Sequence, residues 1–272
     1  IVCLTVDAAA GEVLSGEMMR SSTMSNTQTR VAPGLKYIIR DVAHASRRLG
    51  SRPAAADPYM KDVMTMLVKG RCSMSRMVQH SPEFQRVFKN FAKSSFRCIK
   101  TVTHNLRSAA HRFESMSRPL GRTCIFLHAL IKTAIHIATT RSDASQKRAE
   151  AWLAWLHSER CLQGAMMADA HDQNLFFTRL VDNEKTDPAL LNQEVSFFIN
   201  AIEELYVHGK CLECFGYTSL MLKTLSKPIV WTVKGKLRSI GFSRGVPDDI
   251  KERCLKRMGC WVVLAKAVAR AE

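Results

Sequence analysis

FQRVFKNFAKSSFRCIKTVTHNLRSAAHRF, residues 84–113, carries a basic side chain at every third or fourth position: Arg86, Lys89, Lys93, Arg97, Lys100, His104, Arg107 and His111. Alternating steps of three and four stay on one face of an α-helix, which turns once per 3.6 residues. A second series, Phe84, Phe88, Phe91, Ser95, Cys98, Val102, Leu106, Ala109, Phe113 and Met116, runs two residues out of register and so lies almost opposite. The stretch therefore reads as one long helix, over 82–117, that buries a phenylalanine-rich face and holds a row of cations to solvent. Ordinary solvated faces mix lysine and arginine with carboxylates that gain i,i+4 pairing. Here Glu83 is the only carboxylate between Glu83 and Arg112. A stripe roughly 38 Å long, with a cation every ~5 Å, suits a polyanion.

Outward from this stretch, the charge is unevenly spread. The 272 residues carry a net charge of +16, and 46% of them are hydrophobic, so the basic excess belongs to a chain able to build a core. Residues 31–122 have a net charge of +13, residues 161–222 of −6 and residues 223–272 of +8. Further basic sets are Arg47, Arg48 and Arg52; Lys69, Arg71 and Arg76; and Lys234, Lys236, Arg238 and Arg244. The acidic middle is not expected to touch phosphate.

Helix punctuation recurs. Asp57-Pro58, Ser81-Pro82 and Asp187-Pro188 each set a capping side chain before a proline at a first helical position. Gly50, Gly70 and Gly209 stand where helices stop. With these signals helices are expected at about 34–49, 58–69, 82–117, 123–140, 143–171, 188–208, 210–226 and 248–270, Gly164 being a possible split in the fifth. Ile1–Val6 and Ile229–Val233 are the β-branched runs worth naming. The expected fold is all-α, a multi-helix bundle with one long basic amphipathic helix and an extended arm or loop near 226–246. Its parts are a basic half (1–122), an apolar then acidic half (123–225), the arm (226–246) and a C-terminal helix (247–272), with one continuous domain as the alternative. The 226–246 segment reads as a basic loop over nucleic acid, as an arm inserting Ile229, Val230, Trp231 and Val233 into a neighbouring copy, or as a short hairpin.

Chemistry-bearing motifs are few. Cys211-Leu-Glu-Cys214 supplies two zinc donors from one turn, but no second compact pair follows; Cys254 and Cys260 are six apart in a helical pattern. The nine scattered cysteines fit a reducing, intracellular setting, and most read as core thiols. His128 and His136, with Lys132 between them, are expected to form a polar seam inside the bundle. Trp152, Leu153, Trp155, Leu156, Met166 and Met167 are expected in the core. Phosphate-loop, dinucleotide, metalloprotease and serine-hydrolase signatures are missing, so neither an enzyme nor a cofactor or metal site is expected. The most apolar run, Cys124–Ala138, is too short to span a bilayer, and a soluble protein is expected.

Across most of its length the chain resembles nucleoproteins of negative-strand RNA viruses, which are helical, strongly basic and linked by an exchanged arm. The Arg86–His111 face and the Ser226–Val246 segment carry the likeness, which is one of outline without a diagnostic motif. The resemblance implies sequence-nonspecific packaging of single-stranded RNA by a homo-oligomer, with a polymerase or another acidic protein as a further partner. It also implies a place in a virion ribonucleoprotein and in the host nucleus or cytoplasm. Two alternatives use the same charge: a matrix-type peripheral membrane protein on anionic lipid, and a ribonucleoprotein scaffold subunit. Against lipid, the apolar face opposite the cations has the composition of a core.

Overall fold

A computed structural model describes residues 3–6, 17–21, 37–40, 42–95, 106, 117–183 and 187–271. Two short parallel strands, β1 (Cys3–Val6) and β2 (Tyr37–Arg40), pair in register, and residues 17–21 form a helical turn, α1. Then come α2 (Val42–Ala56), α3 (Pro58–Met64), a π-turn (Thr65–Lys69), α4 (Met74–His80), α5 (Pro82–Ser95), α6 (Ser117–Ile125) and α7 (Leu127–Thr140). The second half holds α8 (Ala144–Trp155), α9 (Ser158–Val181), α10 (Leu191–Tyr206), α11 (Tyr217–Leu225), the hairpin β3 (Ile229–Val233) and β4 (Lys236–Ile240), and α12 (Asp248–Ala271). The fold is all-α, a multi-helix assembly with minor sheet.

Caps decide where these helices start. The Asp57 carboxylate accepts from the N–H groups of Tyr59 (2.7 Å) and Met60 (3.1 Å), with Pro58 at the first helical position of α3. Ser73 does the same for α4 and Asp143 for α8. The expected 143–171 helix is two helices, divided at Leu156 and His157 rather than at Gly164. Leu156 is extended (ψ 128°), and the His157 imidazole accepts from the Glu159 N–H at 3.3 Å, capping α9. Gly164 lies inside α9, where a Cβ would meet the Leu67 side chain at 2.5 Å, so its role is close helix packing. The 123–140 helix is likewise broken, with α6 and α7 bent by 78°. The helix expected from residue 34 begins at Val42, because Tyr37–Arg40 pairs as a strand, and the short α4 had no counterpart in the sequence reading.

Helix α9 is the central rod. It packs against α2, α3, α6, α10, α11 and α12, and from Cys161 to Ala168 every residue is buried. Tyr206 of α10 donates its hydroxyl to the Met166 carbonyl (2.9 Å) and meets Trp261 edge-on at 6.2 Å; Trp261 donates to the Gly50 carbonyl (3.3 Å). The C-terminal helix is thus tied to α2, and one core cluster runs from Leu49 to Ala265. Glu159, at the start of α9, is 9% exposed and accepts from Arg253 (3.0 and 3.2 Å) and Arg257 (2.7 Å) of α12. Burial alone would raise the Glu159 carboxyl; hydrogen bonds from the two guanidiniums outweigh it and hold the group below its ordinary range. Glu159→Gln should therefore cost about 2–3 kcal/mol in urea denaturation, because two charge-assisted pairings are weakened at once.

The described part of the long helix behaves as its periodicity requires. Phe84, Val87, Phe88 and Ala92 of α5 are buried against α7, and Phe88 meets Phe126 edge-on at 5.6 Å. Burying Phe88 alone contributes roughly 1.5–3 kcal/mol. The expected continuation with Arg97, Lys100, His104, Arg107 and His111 lies outside the described residues. On α7, His128 and Lys132 are exposed and His136 is half-buried, its ring 6.3 Å from Phe91. The expected internal seam is therefore an outer face: the buried stripe of α7 is Ala129, Leu130, Ile131, Thr133, Ala134 and Ile137.

The 226–246 segment is neither an extended arm nor an open loop. It is an antiparallel hairpin with Trp231 opposite Arg238, folded onto α7 and α8 of its own chain. Lys234 (φ 50°) and Gly235 (φ 70°) form its turn; two positive φ values in succession match the twist of paired strands. Trp231, Val233 and Ile240 are buried in the same core as the helices, Ile229 is partly buried and Val230 is exposed. The Gly241 N–H donates to the Ser158 hydroxyl (2.9 Å) and the Phe242 N–H to the Leu225 carbonyl (2.8 Å), pinning the exit of the hairpin. Ile229, Trp231 and Val233 thus serve the subunit's own packing, not insertion into a neighbour.

Candidate nucleic-acid interface

Two segments distant in sequence meet around a cavity of about 150 Å³: the stretch from the loop after the π-turn through α4 to the start of α5, and the first turns of α8. It is lined by Arg71, Arg76, His80 and Arg148, with Ser81 and Ser145 at its polar edges and Met77 and Phe84 as its apolar floor. One water requires only ~10–15 Å³, so a solvated anion has room. Ser73 fixes this corner by accepting from the Arg76 N–H (3.3 Å) and donating to the Val68 carbonyl (2.9 Å). The Arg76 guanidinium donates to the Lys69 carbonyl at 3.3 Å, which holds the arginine across the loop.

Among the described residues no carboxylate lines the cavity. The nearest acids in sequence are otherwise engaged. Glu83 is ion-paired with Arg141 (Nε to Oε1 2.9 Å), and Asp143 accepts the Ser145 N–H at 2.8 Å as the cap of α8. The Glu83 hydrogen bond raises Arg141, and the Ser145 N–H lowers Asp143. Guanidinium groups around an acid-free cavity recognise phosphate oxygens through two parallel N–H bonds. The Ser81 hydroxyl, at the start of α5 where the dipole favours anions, adds a neutral donor.

The described sequence-derived cations fall in four places. Arg71 and Arg76 are in the cavity, and Arg86, Lys89 and Lys93 continue along the outer face of α5, with Arg86 and Lys93 exposed. None of these last three is ion-paired among the described residues. Arg47, Arg48 and Arg52 are elsewhere, on α2, whose main partners are α9 and α12; Arg47 and Arg48 are half-buried. Lys69 faces a different cavity. On the hairpin, Lys234 is paired with Glu150 of α8 (3.6 Å), whereas Lys236, Arg238 and Arg244 are exposed. Sequence reading missed His80 and Arg148. His80 closes α4, a helix it did not find, and Arg148 lies more than sixty residues from its neighbours in the cavity.

Cys211 and Cys214 line a third, larger cavity of about 370 Å³ with Asp169, Asp172, Phe215 and Tyr217. Burial pushes the Cys211 thiol up to about 12. Among the described residues no group of three or more histidine, cysteine or acidic side chains could hold a metal ion, and no single helix is long and apolar enough to cross a membrane. No protein family, no curated protein and no solved structure matches this chain.

Proposed function

We propose that this protein binds the phosphate backbone of single-stranded RNA without reading its sequence, as a nucleocapsid-like packaging protein. The observation that carries the reading is the acid-free cavity of Arg71, Arg76, His80 and Arg148, followed by the unpaired cations on the outer face of α5. Phosphate contacts fix position and carry no sequence information, and the phenylalanine of the cavity, Phe84, is 2% exposed and offers no face to a base. Six cations (Arg71, Arg76, Arg148, Arg86, Lys89 and Lys93) supply the track.

Each phosphate neutralised on a single strand contributes about 0.7 to the salt exponent, so log K should fall against log salt with a slope near −4. Fluorescence anisotropy with a labelled homopolymer at increasing salt reads this directly. A slope near zero, or tighter binding to anionic vesicles than to RNA, contradicts the reading. Packaging adds a second expectation: saturating RNA drives the protein into larger, nuclease-protected species, whereas protein that stays monomeric on RNA is a binding module only.

A further inference from the structure

A second cavity, of about 160 Å³, opens between α2, the α3–π-turn segment and α9. Its lining is Ser51, Ala54 and Ala55 from α2, Lys61, Met64, Thr65 and Lys69 from α3 and the π-turn, and His171 from α9. No described residue is shared with the Arg71–Arg148 cavity, and again no carboxylate is present among the described residues of its lining. We infer that this cavity is a separate binding site for a phosphate group, held by Lys61, Lys69 and Ser51.

The π-turn builds the site. Its closing hydrogen bond runs from the Gly70 N–H to the Thr65 carbonyl (2.6 Å), one residue longer than an α-turn, at the C-terminal end of α3. The wider turn ends on Lys69, which lines the cavity together with His171. Ala54 and Ala55 keep the α2 wall low, which is what leaves the space open. The Thr65 hydroxyl donates to the Lys61 carbonyl (2.7 Å), so the two ammonium groups and the Ser51 hydroxyl are the donors for an anion.

The electrostatics point the same way. Partial burial lowers Lys69, and full burial, with Lys69 next, takes His171 down to about 4. Lys69 and His171 thus line one cavity with no acid among its described lining residues, and burial disfavours their charged forms. A phosphate between the lysines reverses that penalty, and lysine binds phosphate as a compact charge with rotatable donors. The nearest acid of α3, Asp62, is instead engaged with Trp155 (2.8 Å) and Arg160 (3.8 Å).

Thermal unfolding of the full chain in sodium phosphate, against sodium chloride at equal ionic strength, tests the site. Phosphate should raise the melting temperature beyond chloride, and Lys61→Met and Lys69→Met should each weaken its apparent affinity at least tenfold. Lys61→Met should retain RNA as the unmodified chain does, which separates this site from the RNA track. A nucleoside monophosphate and an RNA oligomer with or without a 5′-phosphate then tell a free small phosphate from a strand end. No phosphate-specific shift in the unmodified chain overturns the inference and leaves the RNA reading to its own binding test. A shift that survives Lys61→Met and Lys69→Met but is lost with Arg71→Glu and Arg148→Glu also overturns it, because the phosphate is then in the other cavity.

Discussion

Replacing Arg71, Arg76 and Arg148 together by glutamate abolishes retention of single-stranded RNA at moderate salt. These three side chains supply the guanidinium groups of the acid-free cavity. A hydrogen bond to a charged group contributes about 1.5–3 kcal/mol, so three lost together amount to at least a thousandfold in affinity before the repulsion of the new carboxylates is added. The salt exponent should shrink by about 2, three contacts at ~0.7 each. The fold should persist, because all three side chains are exposed and surface changes usually stay within about 0.5 kcal/mol. Anisotropy and far-ultraviolet circular dichroism on the same preparation separate the two effects. Lys93→Glu alone, at the far end of the described α5 face, should cost far less.

Trp231→Ala lowers the melting temperature by about 10 °C and leaves the size distribution of the RNA-free protein unchanged. Trp231 is 4% exposed on the inner face of β3, with Val233 and Ile240 beside it in the core. Truncating a buried aromatic of this size costs about 3–5 kcal/mol, and in a domain of this length each kcal/mol moves the midpoint by about 2–4 °C. The indole N–H has no hydrogen-bond partner among the described residues, so the loss is one of packing. An arm docked on a neighbour behaves in the opposite way: its truncation releases monomers and leaves the melting temperature in place. Scanning calorimetry and size-exclusion chromatography on the same variant decide between them.

Both results turn on how much of the molecule is legible in its sequence. The buried face of α5 was legible because helical period is a local property: Phe84, Phe88 and Phe91 recur at helical spacing whatever lies around them. The Asp57 cap was legible for the same reason, since its bonds reach only two and three residues ahead. The hairpin was harder. Its turn is Lys234-Gly235 in place of the usual Asn-Gly or Asp-Gly, so the strongest short-range signal is absent although both φ values are positive. The division between α8 and α9 carries no glycine or proline, only a histidine cap at His157. The cavity itself was beyond sequence reading, because Arg148 is placed beside Arg71 and Arg76 by the packing of α7 on both α5 and α8. The charge imbalance raised the expectation of a polyanion; the cavity proposed for it is built by contacts between distant segments.

The most direct measurement is ultraviolet cross-linking of a uniform single-stranded RNA to the full chain at low salt, followed by peptide mapping. The account predicts cross-links on the peptides spanning Arg71–Lys93 and on the one containing Ser145 and Arg148, all removed by the triple glutamate variant. Cross-links concentrated instead around Asp169, Cys214 and Phe215, on the acidic side of the molecule, or left intact in that variant, contradict it.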